Sequence, residues 1–409
     1  MQRETQTDKT MNAPPDRWIE VAVQTPAHSG VGDLLTYRSP LPVVPGQLVH
    51  VPLGRREVLG VVWNALASAP PLDPKTIKTI TGVLDGLAPL DPGWRQLMAF
   101  GAQYYQRSLG EMALSALPPQ LRELDSVQLA RRLKKMSDAP QLTPQPGPTL
   151  SAQQADALQQ IAQHPGPFLL FGSTGSGKTE VYLRAVAQRL QADPQAQALI
   201  LVPEINLTPQ LEARVRERFG DAAVVAMHSG LTPAQRLKSW LAAHSGAARI
   251  VLGTRMAVLA SMPHLQLIVV DEEHDPSYKQ QEGARYSARD LALYRGQQCG
   301  AQVLLGSATP SLESWHHSRP ADEAAADGGG RYVRLHMPAR IGAAALPVVR
   351  RVDMNHQPRR TVLSAPLVQA IQARVAKGEQ SMLLLNRRGY APVLYCADCG
   401  WKSECRHCS

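Results

Sequence analysis

The 409-residue chain is long enough for two or three domains, and its apolar content of 44% excludes global disorder. Its net charge of +9, from 43 Lys and Arg against 34 Asp and Glu, is compatible with phosphate contact or with solubility alone. No apolar stretch approaches the ~20 residues of a membrane helix, and residues 1–17 are polar and charged with no hydrophobic region. We therefore expect a cytoplasmic protein with a disordered N-terminal extension (residues 1–17) and no membrane partner.

Residues 18–118 alternate apolar and polar side chains between Gly and Pro residues, which predicts a small β-barrel-like domain. Its predicted strands are Ile19–Val23, Gln47–Val51 and Val58–Val62, and a helix is predicted from Trp94 to Arg107. Residues 119–149 are basic and then rich in Pro, which predicts a linker.

Residues 150–318 follow the strand–helix rhythm of an α/β domain. After a first strand at Phe168–Phe171, the predicted strands are Ala198–Val202, Ala223–Ala226, Arg249–Leu252, Leu267–Val270 and Val303–Leu305. Residues 319–347 contain an Ala, Asp and Gly-rich run and predict a loop. Within residues 348–395, a predicted helix (Ala365–Lys377) and strand (Ser381–Leu385) indicate the start of a second α/β lobe.

A phosphate-binding loop is predicted at Gly172-Ser173-Thr174-Gly175-Ser176-Gly177-Lys178-Thr179, between a buried strand and a helix. Its glycines let the backbone aim N–H groups at phosphates, Lys178 should reach the β and γ phosphates, and Thr179 should contact Mg²⁺. The sequence Asp271-Glu272-Glu273-His274 follows an apolar strand about ninety residues later. Asp271 should hold the metal and Glu272 should orient the attacking water, so ATP and Mg²⁺ are predicted. The alternative is a Gly-rich turn with an unrelated acidic loop.

Two cysteine pairs, Cys396/Cys399 and Cys405/Cys408, lie in residues 396–409. In a cytoplasmic protein, tandem CxxC pairs indicate Zn²⁺ ligands, because thiolates suit this ion. A redox motif or four free thiols are the alternatives.

Several further motifs point to a family. They are the run Pro203 to Gln210, His228-Ser229-Gly230, Gly253-Thr254-Arg255, Gly306-Ser307-Ala308-Thr309-Pro310, Ser277 to Tyr286, and Leu385 to Pro392. In this order they resemble superfamily 2 DNA helicases and, more closely, the bacterial PriA family of primosomal replication-restart helicases. The resemblance implies a multidomain α/β protein: an N-terminal domain binding the 3′ end of DNA, a RecA-like lobe, and the start of a second RecA-like lobe with a zinc-binding insertion.

The resemblance also implies roles for residues around the nucleotide. Gln154 matches the adenine-reading Gln, and Ser307 and Thr309 would couple hydrolysis to lobe movement. Thr208, Thr254 and Arg255 would contact the DNA backbone. Tyr278, Lys279 and Tyr286 would sense single-stranded DNA, with packed tyrosines as the alternative.

In the N-terminal domain, the family's 3′-end pocket aligns with Tyr37, Gly46 and Lys78. Leu35 and Thr36 stand where the family has Phe and Asp, so an aromatic face and a strong hydrogen-bond acceptor are absent. Residues 119–149 are too short for the winged helix that the family carries at this position.

The family binds two zinc ions with eight cysteines in an interleaved arrangement, so each cysteine pair here would be half a site, unless all four bind one ion. The chain also ends before the family's distal arginine motif. We therefore expect an ATP-dependent 3′-to-5′ DNA helicase that acts at forks. The alternative is a non-catalytic fork-binding scaffold or motor fragment. The implied partners are forked and single-stranded DNA, primosome proteins, the replicative helicase loader and single-stranded DNA-binding protein.

Overall fold

The computed structural model describes residues 17–25, 32–68, 70–73, 75–134, 142, 144–203, 209–320, 330–341, 348–358 and 361–384. The chain divides into two units, Met1–Ala344 and Ala345–Ser409. Along the described ranges, no helix is both long and apolar enough to cross a membrane.

The N-terminal domain is built on a five-stranded antiparallel sheet with the order β2-β1-β4-β3-β5. The strands are β1 (Arg17–Val23), β2 (Leu34–Ser39), β3 (Leu48–Leu53), β4 (Arg56–Leu66) and β5 (Gly82–Val83). Alternate residues of β1, such as Ile19 and Val21, are fully buried, as its apolar–polar pattern predicts.

The segment before β5 links the two sides of this sheet. The backbone N–H of Ile80 donates to the carbonyl of Arg38 in β2 at 3.0 Å, and that of Thr81 donates to His50 in β3 at 2.8 Å. Because β2 lies at one edge of the sheet and β3 lies near the other, these bonds close the sheet, which accounts for the barrel-like pattern of the sequence.

In the described residues after the barrel lie the helices α1 (Pro92–Tyr104), α2 (Leu109–Ser115) and α3 (Ser126–Lys134), with a 3-10 helix at Pro119–Glu123. Residues 119–134 were predicted to belong to a linker, but here they are mainly helical. Leu121 and Leu129 are fully buried in the core, so this segment is part of the folded domain.

The second domain is a RecA-like fold with a seven-stranded parallel sheet in the order β12-β6-β11-β10-β7-β9-β8. Its strands are β6 (Phe168–Gly172), β7 (Gln197–Leu201), β8 (Val224–Met227), β9 (Ile250–Gly253), β10 (Leu265–Val270), β11 (Gln302–Ser307) and β12 (Val333–Met337). All six predicted strands are present. The edge strand β12 was not predicted, and it shows that residues 319–347 are not simply a loop.

The helices of this domain among the described residues are α4 (Ala152–Gln163), α5 (Lys178–Ala192), α6 (Pro209–Phe219), α7 (Pro233–His244), α8 (Ala288–Cys299) and α9 (Leu312–His317). Short 3-10 helices lie at Asp221–Ala223, Arg255–Leu259 and Pro276–Tyr278. The strands β7 and β10 are buried almost throughout, as expected for parallel strands covered on both faces.

The N-terminal and RecA-like domains pack directly on each other. The Trp94 indole N–H donates to the carbonyl of Leu259 at 2.8 Å, and the rings of Phe100 and Tyr294 stack with centroids 3.7 Å apart. Trp94 is almost fully buried by this contact. The two domains therefore share one continuous core.

In the second unit, the described residues contain a 3-10 helix at Met354–His356 and the helix α10 (Ala365–Ala376). The helix confirms the prediction at Ala365–Lys377. The prediction of a strand at Ser381–Leu385 was wrong for residues 381–384, which the structure describes as irregular. Met382 and Leu384 are 97% and 93% exposed, so their apolar side chains have no sheet to pack into here.

Candidate nucleotide-binding site

The predicted phosphate-binding loop lies between the end of β6 and the start of α5. Gly175 and Gly177 have φ values of +84° and +81°, a left-handed conformation that glycine adopts without strain. Gly177 is the N-cap of α5, so the backbone N–H groups and dipole of this 15-residue helix point into the loop. Thr174 and Gly175 are exposed at its tip, and Ser173 and Thr179 are half-buried. The loop therefore has the form of an anion site.

Two polar groups inside the loop fit a phosphate ligand. The Lys178 ammonium is buried and donates to the carbonyl of Gly172 at 2.9 Å. The Ser176 hydroxyl is buried and has no hydrogen-bond partner in the described part of the chain. Buried polar groups normally have partners, so an unpaired hydroxyl beside a buried cation indicates that the loop is shaped for an anionic ligand.

Asp271 follows β10, two strands away from β6 in the sheet. Its Oδ1 accepts hydrogen bonds from the Tyr182 hydroxyl and the Glu272 backbone N–H, both at 3.1 Å. Burial raises the pKa of the Asp271 carboxyl, and the charge of Glu272 adds to this effect, whereas Lys178 lowers it. Asp271 and Lys178 are thus electrostatic neighbours, although 93 residues separate them in sequence.

Glu272 has φ of +45°, an uncommon conformation for a residue with a side chain. Its side chain keeps 30% of its surface exposed, so part of it faces solvent. Such strain at the end of a strand is typical of a functional position.

Glu273 is buried and receives four hydrogen bonds. The donors are the Ser311 N–H (2.7 Å), the Ser311 hydroxyl (3.0 Å), the Ser314 hydroxyl (2.9 Å) and the Arg289 guanidinium (3.3 Å). This carboxylate therefore fixes the start of α9 to the acidic box, which we define as residues 271–274.

The site contains oxygen ligands suited to Mg²⁺. Thr179 offers a hydroxyl and Asp271 a carboxylate, and Mg²⁺ is usually bound by one or two such groups plus water and substrate phosphates. Among the residues that the structure describes, no cluster of three or more His, Cys, Asp or Glu side chains could hold a metal ion by itself. The four predicted zinc ligands Cys396, Cys399, Cys405 and Cys408 lie outside the described residues.

Gln154 is buried at the start of α4, beside the phosphate-binding loop. Its Oε1 accepts from the Ser151 backbone N–H at 2.8 Å, and its Nε2 donates to the Gly177 carbonyl at 3.1 Å. It thus caps α4 and touches the loop with the same amide. The structure places the predicted adenine reader next to the loop, with both ends of its amide engaged.

The two tyrosines of the predicted DNA-sensing loop are packed against the protein. Tyr278 and Tyr286 are only 3% and 7% exposed, and burial raises the pKa of Tyr286 to about 12. The Tyr278 hydroxyl donates to the backbone carbonyl of Asp271 at 2.6 Å. Neither ring is available for stacking on a base in this structure, which agrees with the packed alternative.

Of the three residues predicted to sense DNA, Lys279 is the exposed one, and its ammonium lies 5.3 Å from the centre of the Tyr105 ring. Arg255 donates to the Gln280 side chain at 2.5 Å and to the Ser277 carbonyl at 3.2 Å, so it supports the same loop. Of the three predicted backbone-contacting residues, Thr254 is 2% exposed, and Thr208 lies outside the described residues.

The pair Ser307 and Thr309 lies against His274. The Ser307 hydroxyl is 2.7 Å from the His274 Nδ1, and the Thr309 hydroxyl is 3.3 Å from its Nε2. The predicted coupling residues are thus in direct contact with the acidic box.

In the N-terminal domain, two of the predicted pocket residues donate to backbone carbonyls, one at the end of β3 and one in the β3–β4 turn. The Tyr37 hydroxyl donates to the Pro52 carbonyl at 3.2 Å, and the Lys78 ammonium donates to the Gly54 carbonyl at 3.2 Å. Gly46 has φ of +97°, and a Cβ there would overlap the carbonyl of Leu90, so this glycine is required by packing. Leu35 and Thr36 are half-buried on β2.

The sequence did not indicate a role for Tyr182 or Glu273. Tyr182 donates to Asp271, and Glu273 binds the start of α9, so both residues position the acidic box. Tyr182 lies four residues after Lys178, on the helical face that turns toward the sheet, and that spacing could have indicated it. The partners of Glu273 lie up to 41 residues away and had no local signal.

Two family descriptions match the chain. Residues 20–118 match a family described as 3′DNA-binding domain (3′BD), and residues 151–317 match the DEAD/DEAH box helicase family. The chain is 35% identical to "Replication restart protein PriA" of Haemophilus influenzae, over 89% of this chain and 58% of that protein. It is 41% identical to the protein of the same name from Bacillus subtilis, over 59% of this chain and 29% of that protein.

Among solved structures, RecG bound to a three-way DNA junction aligns with 70% of this chain and 34% of its own, with a TM-score of 0.37 and 17% identity. The chain spans about half the length of the curated relatives that it matches.

Proposed function

Because the chain belongs to the PriA family of replication restart proteins, we propose that it works as an ATP-dependent 3′-to-5′ DNA helicase that binds stalled or recombination-derived forks. One observation carries the proposal. A buried Lys178 at the N-terminus of α5 and a partly buried Asp271 after β10 lie at the same end of a parallel sheet. In an open α/β sheet, ligands bind outside the carboxyl ends of the strands.

Each residue of the site has a separate role in binding or hydrolysis. Lys178 and the loop N–H groups bind the phosphates, and Thr179 and Asp271 would hold Mg²⁺. When bound, this ion neutralises charge on the phosphates. Glu272, half-buried and next to Asp271, orients the attacking water. His274 joins the site to Ser307 and Thr309, which transmit the change in the nucleotide to the rest of the domain.

We also propose that the N-terminal domain binds the DNA end, on the basis of its 3′BD match. Lys78 at the β3–β4 turn supplies a cation for a phosphate, whereas the buried Tyr37 supports the turn. The zinc site at Cys396, Cys399, Cys405 and Cys408, the second RecA-like lobe, and the primosome partners are proposals that follow from family membership and from the cysteine spacing.

Strand displacement from a forked duplex tests the proposed activity. We expect displacement that depends on ATP and Mg²⁺, that is lost in Lys178→Ala and that is kept in Lys377→Ala, a matched change of a lysine at the end of α10. Fork and ATP binding without displacement by the wild-type chain would instead support a non-catalytic scaffold.

A further inference from the structure

The segment Pro338–Ile341 leaves the edge strand β12 beside the phosphate-binding loop, and we name it the strap. The strands β12 and β6 are parallel neighbours, with Met337 paired to Gly172, the last residue of β6. The residues that follow Met337 therefore emerge at the same end of the sheet as the loop that follows Gly172.

Three hydrogen bonds hold the strap against the loop and α4. The Ile341 backbone N–H donates to the Gly175 carbonyl at 2.9 Å, and the Ser173 hydroxyl donates to the Pro338 carbonyl at 3.3 Å. The Ala339 backbone N–H donates to the Gln153 side chain at 3.2 Å. Three bonds over four residues fix the position of this segment relative to the loop.

The side chain of Ile341 reaches Gly177, the residue immediately before Lys178. A Cβ atom at Gly177 would overlap both the Cδ1 of Ile341 and the Nε2 of Gln154, so these two side chains meet over the same glycine. Ile341 nevertheless keeps 56% of its surface exposed. An exposed apolar side chain thus stands beside a buried amide, at the point where the phosphate-binding loop enters α5.

This combination suits a nucleotide base. Ligand sites combine apolar walls with a few placed polar groups, and a flat base gains free energy by covering exposed hydrocarbon. The phosphates would lie at the N-terminus of α5, which begins at Lys178, the residue after Gly177. We propose that the strap forms one wall of the base subsite, with the Ile341 side chain packed against the base of the nucleotide. This inference rests on the proposed function, because it requires a nucleoside triphosphate at the loop.

Equilibrium binding to the purified chain separates the base from the phosphates. The probes are MgATP, MgGTP and magnesium tripolyphosphate, which lacks a base and a sugar. Ile341→Ala should weaken ATP and GTP binding by about three- to tenfold, because it removes apolar surface in partial contact with the base. It should leave the affinity for tripolyphosphate unchanged. Leu312→Ala, at an apolar residue of the same unit that is 84% exposed, should change neither affinity.

Unchanged ATP affinity in Ile341→Ala would overturn the inference. A higher ATP affinity in this variant would also overturn it, because it would show that the strap covers the subsite. An equal loss of affinity for ATP and for tripolyphosphate would also overturn the inference, because the strap would then act on the phosphate-binding loop. If the wild-type chain bound none of the three probes, the proposed function itself would be overturned.

Discussion

His274 places its Nδ1 2.7 Å from the Oγ of Ser307, and this contact joins the acidic box to the end of β11. The Ser307 Oγ accepts from the Thr309 backbone N–H at 2.9 Å, so its hydroxyl proton is free to donate to Nδ1. The Nε2 of the neutral ring can then donate to the Thr309 hydroxyl, 3.3 Å away. One imidazole therefore contacts both of the residues that we propose to couple hydrolysis to lobe movement.

Replacing His274 should uncouple hydrolysis from DNA. In His274→Ala the ATP affinity should stay near that of the wild type, because Lys178 and Asp271 are unaffected, whereas the stimulation of ATP hydrolysis by DNA should fall roughly tenfold. Steady-state rates with and without forked DNA measure this. His164→Ala, at an exposed histidine that follows α4, is the matched control. Equal losses with and without DNA would contradict a coupling role.

Glu273 should matter for stability through its charge. Glu273→Gln keeps a hydrogen-bonding group near Ser311 and Ser314, whose hydroxyls can rotate. It removes the buried carboxylate that pairs with Arg289, whose remaining partners Asp290 and Glu313 are exposed. We expect a loss of about 3 kcal/mol in the free energy of unfolding. Urea denaturation measures it. Glu313→Gln removes a carboxylate 3.8 Å from the same Arg289 but 68% exposed, and it should cost under ~1 kcal/mol. Equal costs for both variants would refute the buried-pair explanation.

The hydrogen bond of Trp94 should contribute to the packing between the N-terminal and RecA-like domains. Trp94→Phe leaves the Leu259 carbonyl unpaired in a buried contact, and this should cost about 1–3 kcal/mol beyond the loss of ring area. Trp240→Phe is a matched control, because its indole is equally buried and its N–H has no partner among the described residues. Urea midpoints that fall by the same amount in both variants would show that the bond contributes nothing.

His244 should make the stability of the chain sensitive to acid. Its Nε2 lies 2.9 Å from the Ala88 carbonyl and its Nδ1 2.9 Å from the Ser261 hydroxyl, which suits a neutral ring that donates through Nε2. Burial lowers the pKa of His244, so the unfolded chain takes up its proton first as the pH falls. The stability that this residue contributes is therefore complete above the unfolded pKa of about 6.5 and declines below it.

His244→Gln should lose less stability than the wild type between pH 7.5 and pH 5.5, because glutamine does not titrate. Urea midpoints at the two pH values measure the difference. His164→Gln, at an exposed histidine, should follow the wild type. A wild-type acid sensitivity that persists fully in His244→Gln would refute the assignment.

The parts of the site that are local in sequence could be predicted from it. The strand β6, the glycine loop and α5 are consecutive, and β10 runs directly into Asp271, so periodicity and residue type were sufficient. The six predicted strands of the RecA-like sheet were found for the same reason.

Contacts between distant residues could not be predicted in this way. Tyr278 and Tyr286 were predicted to sense DNA, but whether an aromatic ring is exposed depends on packing that the loop sequence does not record. β12 was missed because Val333–Met337 is short, contains Arg334 and His336, and becomes a strand through its pairing with β6. The run at Ser381 is apolar, which suggested a buried strand, but it has no strand beside it among the described residues.

The most direct test is steady-state ATP hydrolysis by the purified chain, with and without forked DNA, beside Lys178→Ala and Glu272→Gln. The proposed arrangement predicts hydrolysis that forked DNA stimulates and that both variants abolish, with ATP binding weakened only in Lys178→Ala. Hydrolysis that survives in Lys178→Ala would contradict the assignment of the site. ATP binding without any turnover in the wild-type chain would contradict its action as a motor.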